Sequence, residues 1–133
     1  MPKRSLINPT EKEEYPAIAE YLDLMKFVYT HTAQSTFTSF KQINALKKAG
    51  VRKGLPDYII ILPYWYVKHH TNIILFAEIK RRNGVPSDTS PEQKEWITQL
   101  NMVEGVLAKV FYGSSELIDF IDKFDIKKVS LDK

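Results

Sequence analysis

The 133-residue sequence has no cysteine, which excludes disulfide stapling, thiolate nucleophiles and cysteine-ligated zinc. Its three histidines are too few for a histidine-based metal centre, and His69 and His70 read as the tip of a hairpin turn in KHHTN. No stretch approaches the roughly 18 consecutive apolar residues of a membrane span. The N-terminal MPKRSLINP carries two basic residues without the apolar core of a signal peptide. These absences predict an intracellular, cytoplasmic chain without a membrane partner. At this length one domain is expected over 1–133, with a core of about 10–124 and a tail at 125–133.

A further absence is local. Between Asp23 and Asp57 there is no acidic residue, while Lys26, Lys41, Lys47, Lys48, Arg52 and Lys53 supply six positive charges. Because the whole chain is only +3, a basic segment sits beside an acidic remainder. Such a segment is either a solvated face or a phosphate-binding one.

Patterning gives the elements. Thr10 caps a first helix with Glu11, Glu13 and Glu14 in its positive first turn, and Pro16 kinks it or marks a later start. Its apolar stripe is Ile18, Leu22, Met25 and Tyr29, which puts Glu14 and Glu11 inward and leaves Glu20 in solvent. The Thr- and Ser-rich stretch from His31 to Phe40 reads as irregular or extended. KQINALKKAG then forms a short helix closed by Gly50. GLPDYIIILPYWYV is a strand bent or ended at Pro63, and NIILFAEIK is the next. SPEQKEWITQLNMVEG is a helix on Gln93, Trp96, Ile97, Leu100 and Val103. VLAKVFYG is a third strand, and SELIDFIDKF is a last helix on Leu117, Phe120, Ile121 and Phe124. The natural packing is an α/β sandwich around a small mixed sheet.

In NIILFAEIK, alternation puts Ile74, Phe76, Glu78 and Lys80 on one face and Ile73, Leu75, Ala77 and Ile79 on the other. Both faces are apolar, so the strand is central, and a carboxylate and an ammonium at its end lose water at a cost of several kcal/mol per ion. If the neighbouring strand is antiparallel, Asp57 arrives beside Glu78. A divalent cation with hard oxygen ligands relieves the repulsion of that pair. Lys80, on the same face, then positions a water or offsets transition-state charge. The bland alternative is a structural Glu78–Lys80 ion pair with Asp57 as a turn residue after Pro56. E-x-K alone does not discriminate. Pro-Asp opening one strand and Glu-Ile-Lys closing the next, 21 residues from Asp57 to Glu78, is a more specific arrangement.

KAGVRKGLPDYIII, LFAEIKRRNGVPSDTSPEQKEWITQL and EGVLAKVFYG together resemble the VRR-NUC family of the PD-(D/E)xK, restriction-endonuclease-like superfamily, over about residues 41–124. The resemblance implies an α/β fold with an αβββαβ core, its small mixed sheet flanked by helices. It also implies a metal-dependent DNA endonuclease using Mg²⁺, with Mn²⁺ as substitute. Asp57, Glu78 and Lys80 match the family's catalytic residues, the Ile79 carbonyl a metal ligand, and a glutamate of the first helix would complete the site. Glu14 is preferred slightly over Glu11, and Tyr15 stands where the family usually has glutamine. Gln93 is either a site residue or only the capping-box partner of Ser90. Arg52, Lys53, Arg81 and Arg82 flank the motif strands as candidate phosphate contacts, with Lys41 and Lys94 as further candidates. Trp96 reads as core. By the same resemblance the chain would act as a homodimer on branched DNA such as a Holliday junction, and a phage origin would fit. A non-catalytic nucleic-acid-binding module and a partner-binding protein with a Lys-rich face are the competing readings.

Overall fold

The computed structural model describes residues 9–32, 39–63, 66 and 73–124. The predicted KHHTN turn with His69 and His70, the tail from 125, and most of the 31–40 segment lie outside the described residues.

Thr10 opens helix α1 (Glu11–Leu24) through a capping box with Glu13, which satisfies two of the donors a helix start leaves unpaired. Pro16 lies inside this helix without ending it. The inward stripe is Glu14, Ile18 and Leu22, all buried, as the four-residue spacing requires. The helix stops four turns in because Lys26 takes φ 62° and the Phe27 N–H reaches the Leu22 carbonyl at 3.1 Å, a Schellman closure. Tyr29, expected to continue the stripe, therefore opens a short edge strand, β1 (Tyr29–His31).

Helix α2 (Phe40–Lys48) is capped by the Ser39 side chain and left through Gly50 at φ 100°. Strand β2 (Tyr58–Leu62) ends just before Pro63, and β3 (Ile73–Lys80) follows. Helix α3 (Pro91–Leu100) starts at a Ser90–Gln93 capping box with proline at its first position. It is shorter than predicted because the Asn101 side chain leaves the helix to bond both the N–H and the carbonyl of Ala108, at 2.8 and 3.0 Å. Val103, expected on the inward stripe, is consequently 54% exposed. Strand β4 (Val106–Tyr112) and helix α4 (Ser114–Asp122) complete the order.

The sheet runs β1-β2-β3-β4, antiparallel, antiparallel and then parallel. The parallel step from β3 to β4 is bridged by α3, as a crossover demands. One sheet face, with Tyr58, Ile60, Leu62, Leu75, Ala77, Ile79 and Phe111, is buried with Ile18 and Leu22 of α1 and Leu117 and Ile121 of α4. Each fully buried Leu or Ile contributes about 1.5–3 kcal/mol, so this is the main core. The other face, with Ile59, Ile61, Ile74 and Phe76, is only half-buried. It is the face on which Glu78 meets α3. None of the described helices is long and apolar enough to cross a membrane.

Candidate active site

The register Tyr58↔Ala77, continued by one residue, sets Asp57 directly opposite Glu78. Opposite residues of an antiparallel pair share a face, so the two carboxylates meet on one side at one end of the sheet. Asp57 sits just before β2 begins. Its carbonyl accepts from the Thr32 N–H at 2.8 Å, and its Oδ2 accepts from the Ile79 N–H at 2.8 Å. Lys80, two residues beyond Glu78 and so on the same face, places Nζ 3.4 Å from Glu78 Oε2. Glu78 and Lys80 are 2% and 5% exposed. The three residues expected to meet are thus brought together.

Burial dominates their electrostatics. It pushes the Glu78 carboxyl up to about 8, and the neighbouring Asp57 adds to the rise, with Lys80 pulling the other way. Asp57 is also raised by burial, against the Ile79 N–H, His31, Lys80 and the Tyr15 hydroxyl, which favour its charged form. A carboxyl held this high is short of positive charge.

Gln93 performs both roles between which the sequence left a choice. Its Oε1 accepts from the Ser90 N–H at 2.9 Å, completing the helix cap, and from Lys80 Nζ at 3.0 Å. Its Nε2 donates to Glu78 Oε2 at 2.9 Å. The first turn of α3 therefore fixes both charged groups of the E-x-K strand end.

The two candidate helical glutamates, Glu14 and Glu11, have different surroundings. Glu14 is 1% exposed, and both of its oxygens are engaged by Arg82, Nε at 2.9 Å and Nη2 at 3.0 Å. The Ser114 N–H at the start of α4 donates to it as well, at 3.0 Å. The Arg82 guanidinium holds the Glu14 carboxyl below its ordinary range despite burial. Glu14 is thus a strut joining α1, the exit of β3 and α4. Glu11, one turn earlier and half-buried, is raised first by desolvation, and it interacts with Lys80, Asp57, Asp88 and Arg81. Glu11 is therefore within electrostatic reach of Lys80 and Asp57.

Arg82, a candidate phosphate contact, is accordingly committed to Glu14. Lys41, Arg52, Lys53, Arg81 and Lys94 are exposed. Arg52 Nη1 is directed at the carbonyls of Lys47 and Val51, at 3.4 and 3.3 Å. Lys53 lies 3.6 Å from Glu92 across solvent. Trp96 is half-buried rather than core, and its indole N–H donates to the Lys53 carbonyl at 3.0 Å. Gly54 passes so close to α3 that a Cβ there would stand 2.8 Å from the Glu92 backbone. The basic loop before Asp57 is thereby strapped to the helix that carries Gln93.

Among the described residues, no group of three or more His, Cys, Asp or Glu side chains is placed to hold a metal ion. The donor set nevertheless fits a hard divalent cation. Mg²⁺ is typically bound by one or two carboxylates, with several waters retained. Asp57 and Glu78 provide two carboxylates, and a cation between them would reverse the rise that burial and mutual repulsion impose on Glu78.

A four-stranded mixed sheet flanked by helices, with carboxylates contributed by the start of one strand and the end of its antiparallel neighbour, defines a restriction-endonuclease-like α/β domain. No family model matches the sequence, and no curated protein matches it. Among solved structures it is similar to a "VRR_NUC domain protein" at 25% identity, covering 93% of each chain with a TM-score of 0.64. That likeness runs through nearly all of both chains, so the chain shares the fold of a VRR_NUC domain protein, which supports a nuclease-type domain.

Proposed function

We propose that this protein is a metal-dependent endonuclease that hydrolyses DNA phosphodiester bonds, with Mg²⁺ as cofactor and Mn²⁺ able to replace it. The observation that carries the reading is the convergence of Asp57, Glu78 and Lys80 where water is scarce, with Glu78 pushed up to about 8. Asp57 and Glu78 would hold the cation, with the Ile79 carbonyl as a further oxygen and Glu11 as the α1 carboxylate within electrostatic reach. When bound, it supplies Lewis-acid polarisation of a phosphoryl oxygen and a more acidic water. Lys80, oriented by Gln93, offsets charge that develops on the phosphoryl oxygens. Gln93 also fixes the Glu78 carboxylate, so the donor set is preorganised rather than assembled at each turnover. Lys41, Arg52, Lys53, Arg81 and Lys94 hold backbone phosphates on either side of the scissile bond.

The substrate we assign is branched DNA, cut by a homodimer whose two sites face opposite strands. The test is cleavage of linear duplex and four-way-junction DNA in Mg²⁺ by wild type, Asp57→Ala and Lys80→Ala. The expected result is cutting by wild type, preferring the junction, with each variant reduced by about a hundredfold or more. Salt-sensitive DNA binding without metal-dependent cutting would favour a non-catalytic binding module instead.

A further inference from the structure

No residue of helix α2 is buried, so core packing does not explain its sequence. Its ends are tied down. The Ser39 hydroxyl accepts from the Gln42 N–H at 2.9 Å, and Arg52 Nη1 turns back to the Lys47 carbonyl at 3.4 Å. At about 100° per residue, Ile43 and Leu46 fall on one side, where both are half-buried. Phe40, Lys41, Asn44, Lys47 and Lys48 fall on the other, and every one of them is exposed. The Phe40 ring is 78% exposed.

Helix stability does not account for that face either. Lys47 and Lys48 suit the negative C-terminal end, but Lys41 lies in the first turn, where no acidic residue offsets it and where the helix dipole disfavours a cation. No Asp or Glu occurs between Asp23 and Asp57, so none of the three lysines has an acidic neighbour on its own helix. A large ring is therefore held in water among cations. Interface cores between proteins are depleted in lysine, and a single ring makes no contiguous apolar patch of the kind a protein partner buries. A nucleic-acid strand fits both features, because its phosphates answer the lysines and an unpaired base offers a flat face to the ring.

We propose that the outward face of α2 binds single-stranded DNA, with Phe40 stacking on an unpaired base and Lys41, Lys47 and Lys48 holding the flanking phosphates. The proposal rests on the nuclease reading above and narrows its substrate to DNA that carries unpaired bases beside the bond to be cut. Within a duplex the bases stack on one another, so the ring meets no free face. The path from α2 to the site is short. The chain leaves the helix at Gly50, and the Lys53 carbonyl and Gly54 are seated on α3 before Asp57 is reached. This ties a strand held on α2 to the helix whose Gln93 bonds Glu78 and Lys80.

The test measures binding by the full chain through fluorescence anisotropy in a chelator, where nothing is cut. The probes are a labelled oligothymidylate and a labelled blunt duplex of the same length. Phe40→Ala, a change at an exposed position, is expected to weaken oligothymidylate binding about tenfold and to leave duplex binding unchanged. Phe40→Trp is expected to keep wild-type affinity, with indole fluorescence quenched beyond the wild-type change. Lys47→Ala should reduce the salt-dependence slope on the oligothymidylate by about 0.7, which Phe40→Ala should not. Unchanged oligothymidylate affinity in Phe40→Ala, or the same loss on both probes, would overturn the stacking role, and the nuclease reading would stand if wild type still cuts DNA in Mg²⁺. Self-association of wild type that Phe40→Ala abolishes would assign the face to a second copy and overturn the proposal too. A wild-type chain that neither binds nor cuts DNA would overturn both readings.

Discussion

Glu14 and Glu78 are both buried carboxylates near the same end of the sheet, yet their surroundings push them in opposite directions. Glu14 has a guanidinium bonded to both oxygens and a backbone N–H besides, and it titrates below its usual range. Glu78 has an amide, a lysine at 3.4 Å and another carboxylate beside it, and it is pushed up to about 8. A buried carboxylate balanced within the chain is a structural device. One left short of positive charge marks the place where a charge is to be supplied from outside. That contrast, more than the identity of either residue, separates strut from site.

The sharpest way to break the comparison is to neutralise each carboxylate in turn. Glu78→Gln should lower Mg²⁺-dependent cleavage by about a hundredfold or more. It should leave the metal-free protein melting, at pH 9, no lower than wild type, because an undercompensated buried charge has been removed. Cleavage rates and thermal melts in a chelator check both halves.

The opposite outcome is expected on the strut. Arg82→Ala abandons a Glu14 carboxylate that is 1% exposed, so it should give the largest drop in melting temperature of any single exposed-residue change. Glu14→Gln in the same background should recover part of the loss.

Gly113 adopts φ 93°, and a Cβ there would meet Arg82 Cβ at 2.9 Å. Gly113→Ala should therefore cost about 1–3 kcal/mol in denaturant unfolding.

Acid sharpens the contrast further. Because the folded-state value of Glu14 is depressed, its contribution is present above the unfolded value near 4.5 and is lost as pH falls through the folded one. Wild-type stability should decline on that acid limb, and Glu14→Gln should flatten the decline. The smallest effect belongs to the solvent-exposed Lys53–Glu92 contact, where Glu92→Ala should leave the melting temperature unchanged.

Much of this arrangement was legible in the sequence where it depends on local period. The Glu14–Ile18–Leu22 stripe follows from helical spacing, and the sharing of a face by Glu78 and Lys80 follows from strand alternation. The meeting of Asp57 with Glu78 needs only that β2 and β3 be antiparallel neighbours. What escaped depends on long-range partners. Nothing within the first helix indicates that Glu14 pairs with Arg82, 68 residues away, so helical spacing alone cannot separate its role from that of Glu11. Tyr29 falls at a helical interval from Met25, and only the left-handed Lys26 turns it into a strand. Val103 continues a helical period that Asn101 interrupts by bonding to β4. A cluster of the Tyr15, His31 and Tyr58 rings draws on three separate elements, and no spacing rule connects them.

The central claim, that Asp57 and Glu78 are tolerable together because a divalent cation joins them, is tested most directly by anomalous diffraction from crystals grown with Mn²⁺. The account predicts a single strong peak in contact with oxygens of both side chains, at about 2.0–2.2 Å, with Lys80 still bonded to Gln93. No peak there, or an ion bound elsewhere while Asp57 and Glu78 remain bridged only by protons, would contradict it.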